Sequence, residues 1–144
     1  MPTARNFFTE QEQQSLIDAI TQAELHTSGE IRLHMENFCF GNEVKTAQKV
    51  FEKLGMQNTA EKNGVLIYMA TLSKKVAIIG DAGIHEKLGT DYWDKLVANL
   101  ILQFKADKKA EALCGAIVEC GKQLGKFFPL KDDDKNELSN SISF

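Results

Sequence analysis

The chain has no long apolar run, no excess of one charge and no paired cysteines, and each absence argues against a class of protein. Its longest apolar stretches fall far short of the ~18 residues a membrane helix needs. No charged n-region followed by an apolar h-region opens it. Seventeen Lys and Arg against twenty Asp and Glu leave a net charge of −3, so no basic stripe remains to track a phosphate backbone, which argues against nucleic acid as a partner. Cys39, Cys114 and Cys120 are an odd count with no CxxC spacing, the usage of a reduced protein rather than a disulfide scaffold. Six residues apart on one helix, Cys114 and Cys120 would lie ~9 Å apart, past the ~7 Å reach of a disulfide. His26, His34 and His85 show no HExxH or i, i+4 pairing, which argues against zinc. GxxxxGK[ST], GxGxxG and GxSxG are also missing. These exclusions leave a cytoplasmic monomer with no direct membrane insertion as the expectation.

What is present centres on Asn63–Gly83. Val65–Met69 and Lys75–Ile79 are two apolar runs, without the alternation of a half-exposed strand, so both faces of each are expected to be covered. The residues between them are too few for the ~10–12 that a crossover needs, so the two strands are antiparallel. The end of the second run, Gly80-Asp81, therefore returns to the edge where the first begins, at Asn63.

The rest of the chain arranges itself around this hairpin. Thr9 with Glu12 three residues on reads as a capping box, opening a helix that runs to about Leu25. Glu30–Glu36 alternates, with Ile31, Leu33 and Met35 on one side and Arg32, His34 and Glu36 on the other, the pattern of a half-exposed strand near an edge. Val44, Ala47, Phe51 and Leu54 form a helical stripe stopped at Gly55, completing a right-handed strand–helix–strand unit with parallel strands. Ala82–Gly89 reads as a short turn or helix. Thr90 is expected to cap a further helix burying Trp93, Leu96, Val97, Leu100, Ile101 and Phe104. A last helix carries Leu113, Ala116, Ile117, Cys120 and Leu124 and stops at Pro129. The fold class is α/β: a small mixed sheet of three or four strands with helices on both faces. Residues 1–130 read as one domain, and 131–144 as an acidic tail, with Asp132-Asp133-Asp134, whose last residues dock back as an extended segment.

Candidate chemistry collects at one edge of that sheet. Glu30 opens the first strand, Asn63 precedes the second and Asp81 follows the third, while Asp91 and Asp94, with His85 and Glu86, come from the segments leaving this edge. Carboxylates and an amide drawn from several loops suit a hard cation such as Ca²⁺ or Mg²⁺. The bland alternative is a set of solvated caps, Asp91 suiting the positive end of a helix.

Thr27–Ile31, Asn63–Ile67, Val76–Ile84 and the Trp93…Phe104 helix together resemble a TPM domain, over about Phe8–Phe128. The resemblance implies a Rossmann-like three-layer sandwich. Among such proteins some are credited with phosphatase activity, some bind calcium, and others act as interaction modules tied to membrane complexes or receptors. The NELSNSISF ending resembles that of the compact, soluble bacterial branch, and the sequence departs from the many relatives that carry a signal peptide and a membrane helix, showing neither. Three readings follow. One is a divalent-cation module, calcium first, with Glu30, Asn63, Asp81, Asp91 and Asp94 as ligands and a protein partner the sequence does not name. Another is a metal-assisted phosphomonoesterase, for which Arg32 and Lys62 are the nearest cations to steady a phosphoryl group. The third is a partner-binding domain without metal.

Overall fold

Thr9 closes the capping box expected of it: Glu12 N–H donates to Thr9 Oγ1 at 3.1 Å, and Thr9 N–H donates to Glu12 Oε1 at 2.9 Å. The helix so begun, α1 (Glu10–Glu24), follows a short 3-10 turn at Ala4–Asn6 and is the first of five α-helices around three strands among the described residues of the computed structural model. The structure describes residues 2–130 and 140–144, so the acidic run 132–134 lies outside the described residues. In chain order the other elements are β1 (Glu30–Glu36), α2 (Glu43–Lys53), β2 (Gly64–Ala70), β3 (Lys75–Gly80), α3 (Ala82–Leu88), α4 (Thr90–Lys105) and α5 (Lys109–Phe127).

The sheet order is β1-β2-β3. β1 and β2 run parallel, with Leu33 beside Ile67, and β2 and β3 form the antiparallel hairpin, with Ile67 beside Ile78. The strand period of two sorts side chains into two cores. Val65, Ile67, Met69, Val76 and Ile78 join the main core with residues of α1, α4 and α5. Leu66, Tyr68, Ala70 and Ala77 face the other way, onto Ala47 and Phe51 of α2. Covered on both sides, β2 buries all seven residues, which is why it reads as one unbroken apolar run.

Three local expectations are corrected. β1 is not half-exposed: Glu30 and His34 are only 2% and 8% exposed. Each of these polar side chains has a specific cover, Glu24 for Glu30, and Glu36, Tyr68 and Ser143 for His34. Thr90 does not cap α4; it is already helical, Gly89 at φ +80° separates α3 from α4, and no side chain caps the start. Ile101 is not buried but 37% exposed, because it faces a groove beside β3.

The outer edge of β1 is closed by the end of the chain. Met35 N–H donates to Ser143 O at 2.8 Å, and Ser143 N–H donates to Leu33 O at 3.0 Å, a parallel bridge.

Candidate functional site

Strand pairing alone brings Glu30, Asn63 and Asp81 to one end of the sheet. Glu30 N–H donates to Asn63 O (3.4 Å), Asp81 N–H to Gly64 O (2.8 Å) and Gly83 N–H to Lys62 O (2.7 Å). The last contact is close because Gly83 has no Cβ: one built there would lie 2.3 Å from Glu61 O and 2.6 Å from Lys62 O. The first turn of α3 thus sits directly on the 61–63 segment.

Asn63 is 1% exposed. Its N–H donates to Thr59 Oγ1 (3.3 Å) and its Nδ2 to Ser28 Oγ (3.2 Å), while Ser28 Oγ donates to Glu61 Oε2 (3.4 Å). The amide nitrogen is satisfied, but Asn63 Oδ1 is buried with no hydrogen-bond partner among the described residues. Asp81 caps α3 with one oxygen, Oδ1 accepting from Ala82 N–H at 2.7 Å. Its other oxygen, Oδ2, is likewise buried and without a partner. Unmet buried acceptors of this kind cost about 1–3 kcal/mol each, and native structures carry few of them.

Glu30 belongs to a second arrangement at the same end. Glu24, the last residue of α1, accepts the Ile31 N–H on Oε2 at 2.7 Å and shares a hydrogen bond with the Glu30 carboxyl. Burial, then the neighbouring Glu30 charge, push the Glu24 carboxyl up to about 8, against the opposing pull of the Ile31 N–H. A raised acid pKa means that the folded state holds a proton the unfolded chain has released. The stability this proton confers is full below the ordinary value of 4.5 and is lost as pH rises through about 8. Melting temperature should therefore fall from pH 5 to pH 8. Glu24→Gln, which keeps an acceptor for Ile31 and a donor for Glu30, should flatten that slope and melt higher than wild type at pH 8. A parallel pH dependence in the variant would show that the proton sits elsewhere.

Asp91 and Asp94 are exposed on α4. Asp94 lines the groove beside Ala77 and Ile78, along the strand rather than at its end, and Asp91 occupies the first turn of α4. Among the described residues, no three His, Cys, Asp or Glu side chains form a group that could hold a metal by themselves. Lys62 turns its ammonium to Gln57 O at 2.6 Å. Arg32 stands within β1, opposite Leu66, with its Nε buried and unpartnered.

At the opposite end of the sheet lies a polar chain that sequence reasoning missed. His34 Nδ1 meets Ser143 Oγ (2.8 Å) and its Nε2 meets Glu36 Oε1 (3.1 Å). Tyr68 Oη donates to Glu36 Oε2, and the Tyr68 hydroxyl also contacts Cys39. The signal available was Tyr68 itself, since a tyrosine in a fully buried strand must find a partner for its hydroxyl. Burial raises the Cys39 thiol, but contacts with Thr46, Gly41 and Tyr68 and the Lys75 charge bring it below the ordinary thiol range. Burial pushes Cys120 up to about 12 and raises Cys114. All three thiols are free. Under native conditions iodoacetamide should label Cys39 first and leave Cys120 untouched; early labelling of Cys120 would contradict its place in the core.

A family model of the TPM domain matches residues 3–123. The chain belongs to the TPM domain family. This TPM domain is 42% identical to the BA42 protein of the psychrophilic bacterium Bizionia argentinensis, solved by NMR, over 95% of this chain and 94% of that one, with a TM-score of 0.86. The N-terminal domain of a P. gingivalis protein, also solved by NMR, shares 15% identity over 83% of this chain and 78% of that one, with a TM-score of 0.68. That second likeness is one of fold alone. No match occurs among curated proteins. Among the described residues of this TPM domain, no helix is long and apolar enough to cross a membrane.

Proposed function

We propose that this TPM domain is a regulatory binding module that takes a divalent cation, calcium by preference, where β2 begins and β3 ends. The observation that carries the reading is the pair of buried, partnerless oxygens, Asn63 Oδ1 and Asp81 Oδ2, on adjoining strand ends joined by the Asp81–Gly64 hydrogen bond. Such acceptors suit a hard cation. Calcium tolerates irregular mixtures of carboxylate, amide, carbonyl and water oxygens, whereas Mg²⁺ demands near-octahedral geometry. Asn63 and Asp81 would be its side-chain ligands, with Glu30 adding charge from the neighbouring strand end. Asp91 and Asp94, exposed on α4, would act through the field rather than by contact. A bound ion would hold the start of α3 against the 61–63 segment, which is how occupancy would reach a partner surface. The free thiols fit a reducing, cytoplasmic setting, and we take the domain to be a monomer.

Binding to the folded state alone stabilises it by about 2.7 kcal/mol at a hundredfold excess over Kd, on the order of 5–10 °C in Tm for a domain of this size. Calcium should raise the wild-type Tm by that amount. Asp81→Asn should lose most of the rise, and Asp18→Asn, on the exposed side of α1, should keep it. A wild-type melt unmoved by millimolar calcium or by chelator would remove the cation and leave a partner-only module. Turnover of a chromogenic phosphate ester that needs the metal and is lost in Asp81→Asn would instead make the domain a phosphomonoesterase.

A further inference from the structure

The two edges of the sheet are treated differently. β1 is closed by Ser143 through a pair of main-chain hydrogen bonds, whereas no described strand pairs with the outer side of β3. Which groups of β3 face outward follows from the hairpin register. Asp81 N–H bonds to Gly64 O, and Asp81 falls opposite Gly64 when the Val65↔Gly80 pairing is extended by one residue. Antiparallel pairs alternate between bonded and non-bonded. Ile79, Ala77 and Lys75 therefore bond to β2, and Gly80, Ile78 and Val76 turn their N–H and C=O groups outward.

Those groups open into a groove of about 340 Å³ along the β3 edge, walled by Val44 from the α2 side and by Val97 and Ile101 from α4. It continues into a second hollow of about 370 Å³ that shares Lys74, Lys75, Val76 and Ile101 and adds Lys105 and Lys109. The charge is asymmetric. The hairpin end holds four lysines and no acid, whereas Glu43 and Asp94 line the other part. Lys75 also donates to Gly41 O at 2.7 Å, tethering beside β3 the loop on which Phe40 is 92% exposed.

The geometry points to strand addition: the open edge of β3 takes an extended segment of a partner protein, with acidic residues over the lysine end and apolar side chains at alternate positions along the groove. Main-chain hydrogen bonds to Val76 and Ile78 would supply affinity and the groove walls specificity, the usual division in this mode of binding. Lysines commonly keep an open edge from pairing with other chains; clustered at one end, they also select a partner by charge. Val76 and Ile78, opposite Met69 and Ile67, stand apart from the strand end that holds Asn63 and Asp81.

The test is an NMR titration of the whole chain with a terminally blocked peptide of two aspartates followed by alternating valine and threonine. A control peptide begins with two lysines instead. The acidic peptide should shift the Val76 and Ile78 amides and slow their hydrogen exchange about tenfold, leaving Ala77 and Ile79, already bonded to β2, little changed. Lys74→Glu combined with Lys105→Glu, both at exposed positions, should weaken binding by roughly tenfold without altering the rest of the spectrum. Unmoved Val76 and Ile78 amides at millimolar acidic peptide would overturn the proposal. So would equal binding of the two peptides. Concentration-dependent protection of the same amides without peptide would overturn it too, by showing that the edge pairs with a second copy.

Discussion

Ile67→Asp is expected to yield no soluble folded protein. Ile67 is fully buried at the centre of the middle strand, flanked by Leu33 on one side and Ile78 on the other. Its side chain points into the apolar core formed with α1, α4 and α5. An unpaired buried charge costs several kcal/mol, and the lost apolar burial adds about 1.5–3 kcal/mol, against a total stability of ~5–15 kcal/mol. Solubility on expression and far-ultraviolet circular dichroism read the result. A soluble variant with a cooperative melt would mean that β2 does not occupy the centre of the sheet.

Gly83→Ala should be the most damaging substitution that adds a single methyl group near the strand-end site. The new Cβ would meet two backbone carbonyl oxygens, Glu61 O at 2.3 Å and Lys62 O at 2.6 Å, and neither is the flexible tip of a side chain. Either α3 lifts or the 61–63 segment retreats, and the Gly83–Lys62 hydrogen bond at 2.7 Å goes with it. Overpacking of this sort costs about 1–3 kcal/mol and the hydrogen bond about 1 kcal/mol more, a Tm loss on the order of 5–15 °C. Because Asn63 adjoins the displaced segment, the calcium-dependent rise in Tm should shrink as well. An alanine variant that melts like wild type would contradict the close approach of α3.

The fold was legible where it is local. The Thr9–Glu12 box, the two runs of the hairpin and the stripe from Leu113 to Leu124 announce their elements through spacing alone, and the short connection fixes the antiparallel pairing. What spacing does not carry is contact between side chains from distant elements. Alternation in Glu30–Glu36 predicts an outward His34, yet Tyr68, Glu36 and Ser143 enclose it. Ser143 lies 109 residues away in sequence. Glu24 carries no signal of its own as the last residue of a helix; its raised pKa comes first from burial and then from the neighbouring Glu30 charge, both set by the turn after α1. Asp81 stands at the strand end that the hairpin argument implies. Its unmet Oδ2, like Asn63 Oδ1, depends on atomic placement that no residue pattern encodes. Asp91 and Asp94 looked like neighbours of that edge because they follow it closely in sequence, but α4 carries Asp94 along the strand instead.

Asn63 Oδ1 and Asp81 Oδ2 are the two unpartnered oxygens that a cation would take, and the groups that bear them can be followed by NMR. In a calcium titration followed by NMR, the Asn63 side-chain amide and the Asp81 carboxyl carbon should shift together and saturably. The Ser73 and Lys74 amides in the hairpin turn should stay fixed, and magnesium should produce a weaker response. Asn63 and Asp81 signals that stay unmoved up to roughly 10 mM calcium, beyond the ~10⁻³ M of the weakest calcium modules, would contradict the account.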